Sequence, residues 1–330
     1  MRTWGDVTIT GMKPITPDFL PLRLSAFSAV ITFFAYASVA AEGQVSGDAV
    51  IRAPAGGSEI VITTTSRCAG AIHSLTWNGK EFIDSADHGR QLQSASNLDA
   101  GKQPFFPETF NPTEAGSARD GAGKKSTSKL LELQAKDNEL ATKSLMAFWL
   151  APGEKSQGHP ALNDKKLSDH LLAKQVRIGC KDWKNVLDYR VTFTIPENER
   201  HNYAQFEALT GYMPPDFSRF ETFDPKTGKL EPLDDGPGEQ SRPVVFSTES
   251  GSHAMGIFSP DQPSRGYEGA GYGRFRFKAE KVVKWNCVFR IKDDQGVKAG
   301  EYSYQMFVPI GTREDVRLAL AALSKEFARN

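Results

Sequence analysis

The sequence predicts a mainly β protein, a large antiparallel β-sandwich with long loops and one C-terminal helix. Two observations carry that expectation. Apolar residues recur with a period of two in many short segments, and a period near 3.6 appears only at the end of the chain. Turn-forming residues, among them 29 Gly and 19 Pro in 330 residues, fall between those segments. No low-complexity linker divides the chain, so residues 41–330 read as a single domain.

The N-terminal stretch stands apart. An uncharged apolar run extends from Leu24 to Ala41, preceded by Arg23 and ending in small residues at Ser38 and Ala40. That order of charge, apolar core and small residues is the pattern of a secretory signal peptide over residues 1–40, with cleavage after Ala40 or Ala41. The run is short for a spanning helix, which needs about 20 residues, so the mature chain is expected to be exported, periplasmic or extracellular, and not membrane-spanning.

The elements follow in order. Segments 59–64 and 70–77 read as strands. The second continues into Asn78-Gly79, flanked by Leu75-Thr76-Trp77 and Glu81-Phe82-Ile83, which is the strongest hairpin signal in the chain. Segments 144–150 and 175–180 are further candidates. In 187–195, Leu187, Tyr189, Val191, Phe193 and Ile195 share one face and Asp188, Arg190, Thr192 and Thr194 the other. Segments 244–248 and 254–258 follow. Phe275 and Phe277 then oppose Arg274 and Arg276, Trp285, Cys287 and Phe289 alternate with Lys284, Asn286 and Arg290, and Tyr302, Tyr304, Met306 and Val308 repeat the alternation. Thr312 is placed to cap a terminal helix, with Asp315 as its partner and Val316, Leu320, Leu323 and Phe327 as an apolar stripe. Stretches 96–128, 151–172 and 213–242 read as long loops, which on a β scaffold tend to carry function.

Composition excludes several functions. Forty basic residues balance forty acidic ones, so nothing draws the chain toward nucleic acid. Cys68, Cys180 and Cys287 have no metal-ligand spacing; they read as buried free thiols, although two of them could pair in an exported protein. The six histidines form neither His-x-x-x-His nor His-Glu-x-x-His, there is no Gly-x-Ser-x-Gly elbow, and strands do not alternate with helices as a dinucleotide fold requires. No metal and no organic cofactor is therefore expected. Loop aspartates such as Asp120 or Asp234 could hold a structural Ca²⁺, but no spaced motif supports one.

Four constellations could carry chemistry. In Asp84–Gln93, an extended chain would set His88, Arg90 and Leu92 on one face. His88 is then a proton-transfer candidate beside Arg90, and Gln91 and Gln93 could bind hydroxyls. The stretch after it contains Glu108, Asn111 and Glu114, carboxylates and an amide outside any apolar periodicity; a pair of carboxylates is what glycoside hydrolysis needs. The third group is His201, Tyr203, Glu207, Thr210 and Tyr212, where His201 reads as a surface turn residue and Tyr212 as an acid/base candidate at a strand end. The fourth, Tyr267 to Arg274, is a glycine-rich approach to a strand that would present Tyr272 and Arg274.

The run Gly70-Ala71-Ile72-His73-Ser74-Leu75-Thr76-Trp77-Asn78-Gly79-Lys80 resembles the early hairpin of galactose-mutarotase-like β-supersandwiches. The resemblance implies a sugar-facing groove on a fold that also occurs in polysaccharide lyases and in accessory domains of glycoside hydrolases. The His-Gly-Gly and Asn-x-x-His-Pro-Tyr-Phe segments of aldose epimerases are missing, so the resemblance assigns no catalytic residue. Together these readings lead to an exported carbohydrate-active enzyme, of lyase or glycoside hydrolase type, with His88, Tyr212 and Glu114 as catalytic candidates. Arg90, Gln91, Gln93, Asn111, Tyr272 and Arg274 are the substrate-binding candidates and a carbohydrate the ligand. The alternative is a non-catalytic glycan-binding or envelope protein on the same fold.

Overall fold

The computed structural model describes residues 45–265 and 269–328; the signal-peptide reading for residues 1–40 lies outside them. The first strands are β1 (Ala49–Ala55), β2 (Ser58–Thr64), β3 (Ile72–Trp77), β4 (Lys80–Glu81), β5 (Leu92–Leu98) and β6 (Pro112–Thr113). Next come β7 (Lys129–Lys136), β8 (Glu139–Phe148), β9 (Lys155–Ser156), β10 (His159–Pro160), β11 (Leu167–Cys180), β12 (Trp183–Ile195) and β13 (His201–Met213). The last are β14 (Arg219–Asp224), β15 (Lys229–Pro232), β16 (Gly238–Gln240), β17 (Val244–Ser247), β18 (Ala254–Ile257), β19 (Tyr272–Phe277), β20 (Val282–Val297) and β21 (Gly300–Gly311). The helix α1 (Arg313–Glu326) ends the chain.

All pairings between strands are antiparallel, and they trace two layers. One runs β1-β2-β3-β5-β13-β20-β19-β16. The other runs β7-β8-β11-β12-β21-β18-β17-β14-β15. The two-residue strand β6 bonds to β5 on one side and β8 on the other, which stitches the layers into one continuous sheet. Aromatic contacts show that the layers face each other: Phe193 of β12 meets Phe206 of β13 at 4.9 Å, and Phe289 of β20 stacks on Tyr304 of β21 at 4.0 Å. Leu187, Tyr189, Val191, Phe193 and Ile195 all point into this core, as their alternation requires. Asn78 and Gly79 have φ of 49° and 72°, the left-handed pair that a tight hairpin between β3 and β4 needs.

The terminal helix starts at Thr312, whose side chain accepts from the Asp315 backbone N–H, while the Asp315 carboxylate takes the Thr312 N–H. Its stripe of Val316, Leu320 and Leu323 is buried, against Phe223, Val245 and Ala254 on one side and Val186 and Phe307 on the other. None of the described helices is long and apolar enough to cross a membrane. The three cysteines are free, with Cys68 and Cys287 buried.

Several expected loops are more regular than their composition suggests. Stretch 213–242 contains β14, β15 and β16, and β11 begins inside 151–172. Conversely, residues 84–91 do not extend β5. The Asp84 carboxylate accepts from the Ala86 N–H and the Asp87 carboxylate from the Gly89 N–H, two side-chain turns that consume the backbone donors a strand would use.

Candidate functional site

The outer face of the β5-β13-β20 sheet carries a cleft of about 190 Å³. Alternation alone would not build it. From Gln205 to Glu207 the outward residues of β13 are odd-numbered, but the pairing with both neighbours slips after Glu207. This bulge changes the parity, so Thr210 and Tyr212 turn to the same face as Gln205 and Glu207. The register then sets Asn97 beside Gln205, Gln93 beside Thr210, Asn286 on the other side of Thr210, and Lys284 beside Tyr212. Gly211 makes room on the inner side: a Cβ there would lie 2.5 Å from the Trp285 indole.

At the floor of the cleft stands an ion pair. The Glu207 Oε2 accepts from Lys284 Nζ at 3.0 Å and from Thr210 Oγ1 at 3.0 Å, with Asn286 Nδ2 at 3.4 Å. Burial pushes the Glu207 carboxyl up, but the Lys284 charge and these donors outweigh it, and the net shift is down. Burial likewise disfavours the Lys284 ammonium, yet the Glu207 carboxylate more than compensates and holds it protonated. The ammonium also lies 5.3 Å from the centre of the Tyr212 ring. Burial keeps the Tyr212 phenol above its ordinary value in spite of Lys284, so it remains a neutral donor.

Amide, carboxylate and aromatic groups complete the walls. Gln93, Asn97, Asn111, Glu108, Gln205 and Trp149 line the cleft. Trp149 is held close to Gly89, where a Cβ would lie 2.8 Å from the indole. Gln93 donates to the Gly89 carbonyl at 2.8 Å, while its Oε1 is buried with no partner. Such an orphaned acceptor calls for a donor from a ligand or water. The Glu108 carboxylate accepts from Ser156 Oγ at 2.7 Å at the rim.

Of the residues singled out in the sequence, Tyr212, Gln93 and Asn111 are brought together in the cleft, with Glu108, Glu207 and Thr210 of the same constellations. The others are held elsewhere by partners of their own. His88 is fully buried with both ring nitrogens 2.7 Å from carbonyl oxygens, those of Gly121 and Arg67, so neither faces a ligand. Glu114 lies between the layers, ion-paired to Lys174 and accepting from the Ser94 N–H at 3.0 Å. Arg90 pairs with Asp87 at 3.1 Å and Asp84 at 3.9 Å. Gln91 is buried and donates to the Asp87 carbonyl. Tyr272 is buried with its hydroxyl accepting from the Ser259 N–H, and Arg274 is engaged by Asp234 and Gln240. Nor is His201 a surface turn residue: it is buried at the start of β13. Glu207 stands in the third constellation with no role assigned, and its partner Lys284 reads only as one of the polar residues alternating with Trp285, Cys287 and Phe289. The signal available was that three polar residues, Lys284, Asn286 and Arg290, share one face of a strand whose other face is strongly apolar.

No family model and no curated protein matches the sequence. Solved structures do resemble it. A glycosyl hydrolase family 38 protein from Enterococcus faecalis is 13% identical over 84% of this chain and 32% of its own, with a TM-score of 0.46. A heparan sulfate lyase mutant from Pedobacter heparinus is 10% identical over 81% of this chain and 35% of its own, with a TM-score of 0.41. A candidate aldose 1-epimerase from Klebsiella pneumoniae is 9% identical over 83% of this chain and 85% of its own, with a TM-score of 0.42. The chain thus spans about a third of the hydrolase and lyase chains and most of the epimerase. Each likeness is one of fold and says nothing of chemistry.

Proposed function

We propose that the protein is an exported carbohydrate-active enzyme that holds a sugar ring in the β5-β13-β20 cleft and moves a proton on it. The observation that carries this reading is the meeting, in one cleft, of an aromatic wall, an array of amides and a lysine-fixed carboxylate. Trp149 offers an apolar face to a sugar ring, and Gln93, Asn97, Asn111 and Gln205 offer both donors and acceptors to its hydroxyls. Glu207 is the ionised base, Tyr212 the neutral proton donor, and Lys284 the fixed charge beside a developing oxyanion. These roles favour proton abstraction, as in a lyase, over hydrolysis by two carboxylates. Glu108, the other carboxylate at the cleft, is exposed and hydrogen-bonded to Ser156. Export rests on the charge and apolar pattern of residues 1–40.

A second reading, a glycan-binding protein without turnover, is favoured by one detail: Glu207 Oε2 is already shared among Lys284, Thr210 and Asn286, which weakens it as a base. One experiment separates the two. The protein and Glu207→Gln are assayed on neutral and acidic polysaccharides for unsaturated uronate absorbance and for new reducing ends, with binding measured in parallel. Turnover that falls by about 10²-fold or more in Glu207→Gln while binding persists supports the enzyme. Binding with no turnover in the unaltered chain supports the second reading, and neither binding nor turnover on any glycan refutes both.

A further inference from the structure

Away from the sugar cleft, His170, Glu199 and His201 bring one ligand atom each to within 4.8 Å of one another. We propose that these three residues form a transition-metal site, with Zn²⁺ as its expected ion. They come from three elements: His170 from the irregularity in β11 between Leu167 and Leu171, Glu199 from the β12–β13 turn, and His201 from the first residue of β13. No local motif announces such a set, which is why the histidine spacing argued against a metal.

The geometry converges on one point. Glu199 Oε2 lies 2.6 Å from His170 Nε2 and 3.0 Å from His201 Nε2. Two imidazole nitrogens aimed at one carboxylate oxygen make a His₂Glu donor set, which suits Zn²⁺ and its neighbours better than Ca²⁺ or Mg²⁺, cations that prefer oxygen ligands. Glu199 and His201 open on a groove of about 350 Å³ bordered by Asn163, Asp169 and Asn198. That gives an ion a way in and leaves a position for water. Phe110 packs 5.5 Å from His201 and 6.0 Å from His170, a dry flank that strengthens metal–ligand attraction.

The second ring nitrogen of His201 supplies an independent argument. Its Nδ1 is buried with no hydrogen-bond partner, 3.8 Å from Asp99 Oδ1. Nε2 meets Glu199, while Nδ1 faces the Asp99 carboxylate across a gap too long for a hydrogen bond. Metal at Nε2 would move the ring proton to Nδ1, where it becomes a donor toward Asp99. This is the carboxylate–histidine–metal relay that orients such ligands, reached by a small closure of the 3.8 Å gap. Asp99 itself is fixed by the Asn202 N–H at 3.0 Å and the Gly101 N–H at 3.2 Å.

The test uses the full chain without a histidine tag, freed of metal by chelator dialysis. Zn²⁺ is titrated against a chromophoric chelator, and Co²⁺ is added to a separate sample for its visible spectrum. The expected result is one equivalent of Zn²⁺ bound tighter than ~1 μM, weakened about 10–100-fold in Asp99→Asn and further in His170→Gln and His201→Gln. If the glutamine variants fail to fold, the cobalt spectrum of the unaltered chain decides: bands of a four- or five-coordinate nitrogen–oxygen site support the proposal. A spectrum that stays that of the aqueous ion overturns it. Zn²⁺ affinity unchanged in a folded His170→Gln, or Ca²⁺ bound in preference to Zn²⁺, overturns it as well.

Discussion

Lys174→Met should be among the most damaging single changes in this protein, although it removes only a charge and keeps an apolar chain of similar length. In β11 the inward file reads Leu172, Lys174, Val176 and Ile178, so Lys174 occupies a core position. Its ammonium is fully buried and pairs with Glu114, whose side chain is 2% exposed. The substitution leaves that carboxylate between the layers with the Ser94 N–H as its remaining hydrogen-bond donor. Breaking a buried pair from one side costs about 3–5 kcal/mol. At ~2–4 °C per kcal/mol for a protein of this size class, the melting temperature should fall by about 6–20 °C. The double variant Lys174→Met, Glu114→Gln leaves no buried charge and keeps an acceptor for Ser94, so it should recover most of the loss. Thermal unfolding followed by circular dichroism reads all three chains. A Lys174→Met protein that melts within a degree of the unaltered one would refute the placement of the pair. So would a double variant no more stable than Lys174→Met.

Three further outcomes follow from the same contacts. Gly211→Ala should cost ~1–3 kcal/mol by overpacking against the Trp285 indole, and unfolding in urea would show it. The Glu207 carboxyl is held below its ordinary 4.5 in the folded chain, so its stabilising contribution is present above that pH and is lost as pH falls through the folded value; in Glu207→Gln the acid-induced loss of stability should be shallower, as acid titrations of melting temperature would report. Burial pushes the Cys68 thiol up to about 11 and raises Cys287 also, whereas Cys180 is half-buried. A thiol reagent at neutral pH should therefore label Cys180 first and the other two only on unfolding, and early labelling of Cys68 would contradict its burial.

Much of the scaffold is legible in the sequence because sheet burial writes itself as alternation. The 187–195 segment has one buried and one half-exposed face, so its pattern is plain, and Asn78-Gly79 and the Thr312 cap are local signals that need no tertiary context. The cleft was harder to see for a physical reason. Its residues come from strands separated by nearly two hundred positions, and both faces of β20 are buried, with Trp285, Cys287 and Phe289 in the core and Asn286 and Arg290 on the outer face. A polar residue on a buried outer face looks like a solvated one in sequence. The β13 bulge hid the face that Glu207, Thr210 and Tyr212 share, because it breaks the parity by which alternation would align them. His88 and Arg90 misled in the opposite way: a dense polar run invites a site, yet Asp84 and Asp87 fold it into turns whose groups satisfy each other. Glu114 read as a loop acid because its partner Lys174 lies sixty residues on, in a strand whose apolar file it interrupts.

The central claim is that the β5-β13-β20 cleft is where a sugar binds. The most direct measurement is calorimetric titration of the protein, Trp149→Ala and Gln93→Ala with whichever oligosaccharide a glycan array selects. The account predicts saturable binding to the unaltered chain, lost or strongly weakened in Trp149→Ala and reduced in Gln93→Ala, with the melting temperatures of both variants close to that of the parent. Binding that survives both substitutions unchanged would place the sugar elsewhere on the molecule and contradict the account.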